Sequence, residues 1–214
     1  QWRSRRYLVS KLKKNRISKN WINRQKRDIY VKKSKQEGYR SRAVYKLSEI
    51  NEKFKILRNG MLVIDLGSAP GSWSQFLSKK IKNGKILSID LKKVDNIKNV
   101  RHIVGDFSKA DQKKMIKNYF NSKIDLIVSD MASNTTGNKN LDAITTGELS
   151  FDAMNFSKEV LKKDGQFVSK IFMGSNFNEI VQEAKKIFIK VNIFKPPSSR
   201  KSSKENFLIC KILK

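Results

Sequence analysis

Lys170 lies inside the apolar run Phe167-Val168-Ser169-Lys170-Ile171-Phe172, which reads as a buried strand, and buried lysines are rare unless they are paired. A second apolar run, Ile124 to Ser129, is closed by Asp130, at the strand end where open α/β sheets bind their ligands. Amine and carboxylate are the residue types that hold, orient and deprotonate a reacting hydroxyl. A third signal is Val63-Ile64-Asp65-Leu66-Gly67-Ser68-Ala69-Pro70-Gly71-Ser72-Trp73. There a hydrophobic strand ends in an acid and a glycine, a turn of small residues follows, and a helix opens near Ser72. Small side chains at that point allow a ligand's close approach. The run is not Gly-x-Gly-x-x-Gly, and no Gly-Lys-Ser/Thr closes it, which weakens the dinucleotide and nucleoside-triphosphate readings. Two more acids end the next two apolar runs, Asp90 and Asp106. An acid about twenty residues beyond a glycine loop can hold a ribose, and one after the third strand can accept from an adenine amino group. Alone, each is an ordinary loop residue or N-cap. With the loop, they outline a site shaped for adenosine.

Seven strands are expected to position these residues: Met61–Leu66, Lys85–Leu91, Val100–Val104, Ile124–Ser129, Gln166–Phe172, Val191–Phe194 and Phe207–Ile212. Between them, Trp73–Ile81, Lys109–Phe120, Glu148–Leu161 and Ile180–Phe188 carry apolar residues at helical spacing. Strand and helix alternating through short loops predict a mostly parallel sheet with helices on both faces. The last two strands are joined by Lys195-Pro196-Pro197-Ser198-Ser199-Arg200-Lys201-Ser202-Ser203-Lys204. No helix fits in that loop, so an antiparallel C-terminal hairpin is expected.

The 214 residues suit one domain. Lys and Arg number 47 against 19 Asp and Glu, for a net charge of +28, and this predicts a polyanionic partner. Nucleic acid fits better than a membrane, because no run of about 18 apolar residues exists. The first 46 residues hold 17 Lys/Arg against only Asp28 and Glu37. Residues 1–35 therefore read as a basic arm that docks nucleic acid, and 36–214 as the domain that follows it. A transit peptide is the competing reading of an acid-poor N-terminus, and the charge continuing to Arg42 and Lys46 argues against it. No secretory h-region opens the chain, so a cytoplasmic location is expected, with an organelle matrix as the alternative. One histidine, His102, and one cysteine, Cys210, leave little from which to build a metal site or a histidine triad. No metal is expected, and Cys210 reads as a buried small hydrophobe.

The run Asp65-Leu66-Gly67-Ser68-Ala69-Pro70-Gly71-Ser72-Trp73-Ser74-Gln75, preceded by Arg40-Ser41-Arg42-Ala43-Val44-Tyr45-Lys46-Leu47, closely resembles the FtsJ/RrmJ family of ribosomal RNA 2′-O-ribose methyltransferases. The resemblance continues through Val128-Ser129-Asp130-Met131-Ala132, Phe167 to Phe172, and Lys195 to Glu205, covering about residues 36–212. It implies a Rossmann-like methyltransferase sheet, S-adenosylmethionine as methyl donor, and a uridine ribose of large-subunit ribosomal RNA as acceptor. It further implies a Lys-Asp-Lys-Glu tetrad, matched here by Lys46, Asp130, Lys170 and Glu205. Cofactor contacts are implied at Gly67, Ser68, Pro70, Gly71, Trp73, Asp90, Asp106 and Asp130, and a monomer is expected. Two positions depart from the bacterial pattern: Val44-Tyr45 stands before Lys46, and Ser133 replaces a proline after Asp130-Met131-Ala132. Relatives with the same tetrad act on tRNA or mRNA caps, and an idle RNA-binding assembly factor is the reading from a different class.

Without that resemblance, only Lys170 and Asp130 stand out. Lys46 is one of 47 basic residues, whose default is solvation on an amphipathic helix, and Glu205 reads equally well as a cap on a basic loop. Transfer of a methyl group to a hydroxyl needs the oxygen held in line and its proton removed. In the implied tetrad Lys170 is the base, Lys46 a neighbouring cation, and Asp130 and Glu205 orient the amines and balance their charge. Base methylation predicts a different set: a cysteine nucleophile for pyrimidine carbon-5, or an Asn/Asp-Pro-Pro-aromatic run after the fourth strand. Asp130-Met131-Ala132-Ser133 occupies that place, and Cys210 lies in the last strand.

Overall fold

In a computed structural model describing residues 25, 27–132, 139–174 and 176–214, the seven apolar runs become one sheet. Most of the basic arm, and Ser133, lie outside the described residues. The strands are β1 (Leu62–Leu66), β2 (Lys85–Asp90), β3 (Val100–Val104), β4 (Ile124–Ser129), β5 (Leu161–Phe172), β6 (Phe188–Phe194) and β7 (Glu205–Leu213). Their order across the sheet is β3-β2-β1-β4-β5-β7-β6. The first five are parallel, while β7 runs antiparallel to both β5 and β6. Only β7 is therefore reversed, and its first residue, Glu205, lies at the carboxyl edge of the parallel strands. The order turns back between β1 and β4, and ligands of open α/β sheets bind in the crevice at that switch point.

Six helices among the described residues cover the sheet: α1 (Ile29–Gln36), α2 (Val44–Phe54), α3 (Ser72–Lys80), α4 (Ala110–Phe120), α5 (Lys139–Val160) and α6 (Phe177–Ile187). Because parallel strands are buried on both faces, each strand feeds two cores. On one side Ile64, Leu66, Leu87, Ile89, Ile127 and Phe167 meet α4, α5 and α6. On the other Val63, Ile86, Leu126, Val128 and Val168 meet α2 and α3. In α6 the buried residues Ile180, Val181, Ala184 and Ile187 recur at helical spacing. In α2, Val44, Leu47 and Ile50 are buried, which turns Lys46 towards the edge of that core. Cys210 has no exposed surface, as its apolar run predicts.

The elements match the expected plan with several boundary differences. β5 begins at Leu161, across an irregularity opposite Ile124 and Leu126, five residues ahead of the expected Gln166. β6 begins at Phe188, where α6 ends without an intervening loop. The helix expected from Glu148 begins at Lys139.

Candidate active site

At the carboxyl edge, β1 leads into Gly67, whose φ of 71° is open to glycine and strained for other residues. A β-carbon there would come within 2.9 Å of the Met131 backbone, so Gly67 also lets the exits of β1 and β4 approach each other. Gly71, at φ 103°, opens α3 and leaves room for Arg40, whose guanidinium donates to the Pro70, Asp95 and Asn96 carbonyls. Asp90 fastens the loop from the next strand: Oδ2 accepts from the Ala69 amide at 2.9 Å and Oδ1 from the Lys92 amide at 2.8 Å. The Asp106 Oδ1 accepts from the Ser108 amide at 2.9 Å and the Ser108 hydroxyl at 2.7 Å, which holds its carboxyl below the usual range.

Together these exits wall a cleft of about 300 Å³, at the lower end of the ~300–1,000 Å³ typical of small-molecule sites. Gly67, Ala69, Asp90, Asp106, Asp130 and Met131 contribute to its walls. Ser68, Pro70, Gly71 and Trp73, expected on the cofactor, are not among the wall residues. The Ser68 side chain is buried, Pro70 holds Arg40, and Gly71 sets the turn. The Trp73 indole, 2 % exposed, donates to the Ala43 carbonyl at 2.7 Å and lies 5.7 Å from the Phe207 ring. Trp73 thus ties α2, which carries Lys46, to α3 and β7.

Asp65, at the end of β1, is fully buried and accepts from the Ser74 hydroxyl at 2.6 Å. Burial pushes its carboxyl up to about 7, and Asp130 and Asp90 add to the rise against the Ser74 hydrogen bond. The folded chain then holds this proton more tightly than the unfolded chain, so the stability it confers is complete below about pH 4 and is lost as pH rises towards 7. Asp65→Asn is expected to remove that slope, gaining on the order of 2–4 kcal/mol over wild type at pH 8 and little at pH 4. Urea midpoints at the two pH values check this, and equal slopes for both proteins would refute it.

The four residues of the expected tetrad come from three elements and the exit of β4, and they meet. Lys170, 7 % exposed on β5, has its amine 3.0 Å from the Asp130 Oδ1 and donates to the Asp130 carbonyl at 2.6 Å. Lys46 on α2 donates to the Glu205 Oε2 at 2.7 Å and stands 3.8 Å from the Asp130 Oδ1. Burial alone would lower the Lys46 pKa, but the carboxylates of Asp130 and Glu205 outweigh it and raise the net value. Burial likewise works to raise the Asp130 pKa, and the Lys170 and Lys46 ammoniums outweigh it and hold the carboxyl below its usual range. Lys46 is thereby fixed as a cation. Asp130 serves both sites, since it walls the cleft and touches both lysines.

Several supporting residues were not legible beforehand. The Ser199 hydroxyl donates to the Glu205 Oε1 at 2.7 Å, and the Glu205 amide donates to the Ser203 hydroxyl at 3.2 Å. Glu49 of α2 accepts from the Ser198 amide and hydroxyl at 2.9 and 2.7 Å. The loop before β7 is thus pinned to α2, and Glu205 with it. Its Pro-Pro-Ser-Ser-Arg composition marks a turn, but spacing alone does not say which serine meets which acid.

The fold and a cleft at its switch point define a Rossmann-like methyltransferase, the architecture of the solved structures that resemble it. A ribosomal RNA methyltransferase from Plasmodium falciparum superposes with a TM-score of 0.73 at 34 % identity, covering 82 % of this chain and 98 % of that one. Human methyltransferase-like protein 13, solved in complex with SAH, shares the fold at a TM-score of 0.59 and 14 % identity, covering 78 % and 81 %. The FtsJ-like methyltransferase family model matches residues 39–213, and the chain belongs to that family. Among its relatives, the ribosomal RNA large subunit methyltransferase E of Pelagibacter ubique is 62 % identical over 203 residues, 95 % of this chain and all of that protein. The protein of the same name from Rickettsia africae is 43 % identical over 215 residues, 97 % of this chain and 95 % of its own length.

Proposed function

We propose that the chain methylates a ribose 2′-hydroxyl, that of a uridine, in large-subunit ribosomal RNA, with S-adenosylmethionine as donor. The observation that carries this reading is Asp130, shared between an adenosine-sized cleft and a largely buried cluster of two lysines and two acids. The residues fit the donor: Asp90 and Asp106 present carboxylate oxygens for ribose hydroxyls and an adenine amine, and small residues in the first loop admit its close approach. When bound, S-adenosylmethionine supplies a methyl group activated on a positively charged sulfur.

The remaining work belongs to the chain. Lys46, kept charged by Asp130 and Glu205, holds the acceptor oxygen and steadies the developing alkoxide. Lys170 is the amine left to take the hydroxyl proton, and Asp130 fixes the direction of its nitrogen. Burial of the cluster limits water's access to the reacting oxygen. The basic residues 1–35 dock the RNA through phosphate contacts, whose counterion release makes affinity salt-dependent. The ribosomal acceptor is supported by the names borne by the relatives that cover nearly all of the chain.

The purified protein, S-adenosylmethionine carrying a labelled methyl, and large ribosomal subunits from cells lacking the protein test the reaction. The label is expected in a dinucleotide that survives alkaline hydrolysis, because a 2′-O-methyl group blocks the hydroxyl that would attack the next phosphate. Label in a base, or donor binding without turnover, would contradict the proposal.

A further inference from the structure

Beside the tetrad lies a second cleft of about 290 Å³, walled in part by Ser41, Arg42, Lys46, Arg200, Ser203 and Glu205. Lys46 and Glu205 belong to both, so this cleft opens directly onto the reacting end of the site. Its charge is organised around an acid. The two oxygens of Asp28 divide their work: Oδ1 caps α1 by accepting from the Tyr30 and Val31 amides at 3.1 and 3.4 Å, while Oδ2 accepts from Arg42 and lies 3.5 Å from the Arg200 guanidinium. The second Arg42 nitrogen donates to the Ser198 carbonyl. The Asp28 side chain is 9 % exposed, against 15 % for Arg42 and 33 % for Arg200.

Two guanidiniums drawn to one carboxylate repel each other. Burial and the nearby Arg200 push the Arg42 guanidinium below its usual range, against the pull of Glu205 and Glu49. The helix cap accounts for Oδ1 alone. Holding two arginines at one oxygen leaves the trio with a net positive charge, its more exposed fork at the mouth of a cleft that ends on Lys46. Planar arginine forks match phosphate oxygens, and the strand that carries the reacting ribose has a phosphate on each side of it. Resting on the reading of the site as an RNA ribose methyltransferase, we propose that Asp28 is a positioning residue that sets Arg42 and Arg200 as a clamp for a phosphodiester flanking the methylated ribose.

Asp28→Asn tests this with a sign opposite to bulk electrostatics. Asparagine caps helices as well as aspartate does, and the exchange raises the net charge by one, so simple attraction predicts tighter RNA binding. The clamp predicts the reverse: KM for large ribosomal subunits from cells lacking the protein rises roughly three- to tenfold, while kcat and S-adenosylmethionine affinity stay within about twofold. Arg200→Gln should raise KM similarly and reduce the slope of log affinity against log salt by about 0.7–0.9, one phosphate contact. Added to Arg200→Gln, Asp28→Asn should cost less than it does alone. Glu159→Gln, an equal charge change at the opposite end of the strands, should leave KM unraised. A KM lowered or unmoved in Asp28→Asn, or a fall in thermal stability and kcat with KM constant, would overturn the clamp and leave the site's chemistry standing. Wild-type protein that leaves the ribose unmodified in the same assay would remove both.

Discussion

Lys170→Ala is expected to fold, bind S-adenosylmethionine as wild type does, and lose about 10²–10⁴-fold in the rate of methyl transfer, the usual worth of a positioned acid or base. The amine lies against Asp130 at 3.0 Å with its side chain 8 % exposed, so its removal leaves the carboxylate to Lys46, 3.8 Å away. That residual pairing is why the variant should retain its fold. Lys170→Arg should do no better than alanine, because a guanidinium stays protonated and cannot accept the hydroxyl proton. At Lys46, whose task is to remain charged, arginine should retain more activity than it does at Lys170. Single-turnover rates at saturating donor compare the four proteins, and a Lys170→Arg variant near wild type would make Lys170 an electrostatic residue rather than the base.

Asp90→Ala is expected to cause the largest loss of donor affinity. Its carboxylate holds the Ala69 amide and the Lys92 amide, so its loss frees the first loop and, on the proposed reading of the site, unpairs the donor's ribose at once. Leaving buried donors unpaired costs about 1–3 kcal/mol, or roughly 5- to 150-fold in donor affinity. Asp106→Ala should fall at the lower end of that range, since its bonds to Ser108 are local and order no other strand exit. Titration calorimetry with S-adenosylmethionine gives both values. An Asp106 effect larger than that of Asp90 would reverse the assignment of loop-holding to Asp90.

What the sequence disclosed follows from which signals are local. The central strands β1, β2 and β4 are legible because parallel strands buried on both faces are continuous apolar runs, while the half-exposed edge strands β3 and β6 carry a weaker signal. Lys170 stands out as a charge inside an apolar strand, and Asp130 as an acid closing the fourth strand at the edge where ligands bind. Lys46 and Glu205 do not, because a lysine on a helix and a glutamate after a basic loop look the same whether solvated or paired, and only the family pattern singles them out. The first turns of α5 carry no legible signal because the buried residues there are Ala143 and Thr146, small or polar residues that leave no apolar periodicity. The trio of Asp28, Arg42 and Arg200 joins residues as far as 172 positions apart, a distance at which no spacing rule applies. The resemblance implies a cofactor contact at Trp73, and its indole packs beside α2 and against Phe207, a role that only packing reveals.

On the proposed function, the Lys46-Asp130-Lys170-Glu205 cluster methylates a ribose of large-subunit ribosomal RNA. Mapping 2′-O-methylation across that RNA, in cells lacking the protein and in the same cells supplied with wild type or Lys170→Ala, tests it most directly. One uridine is expected to lose its ribose methyl group, regain it with wild type and remain bare with Lys170→Ala. An unchanged ribose methylation map, or full restoration by Lys170→Ala, would contradict the account.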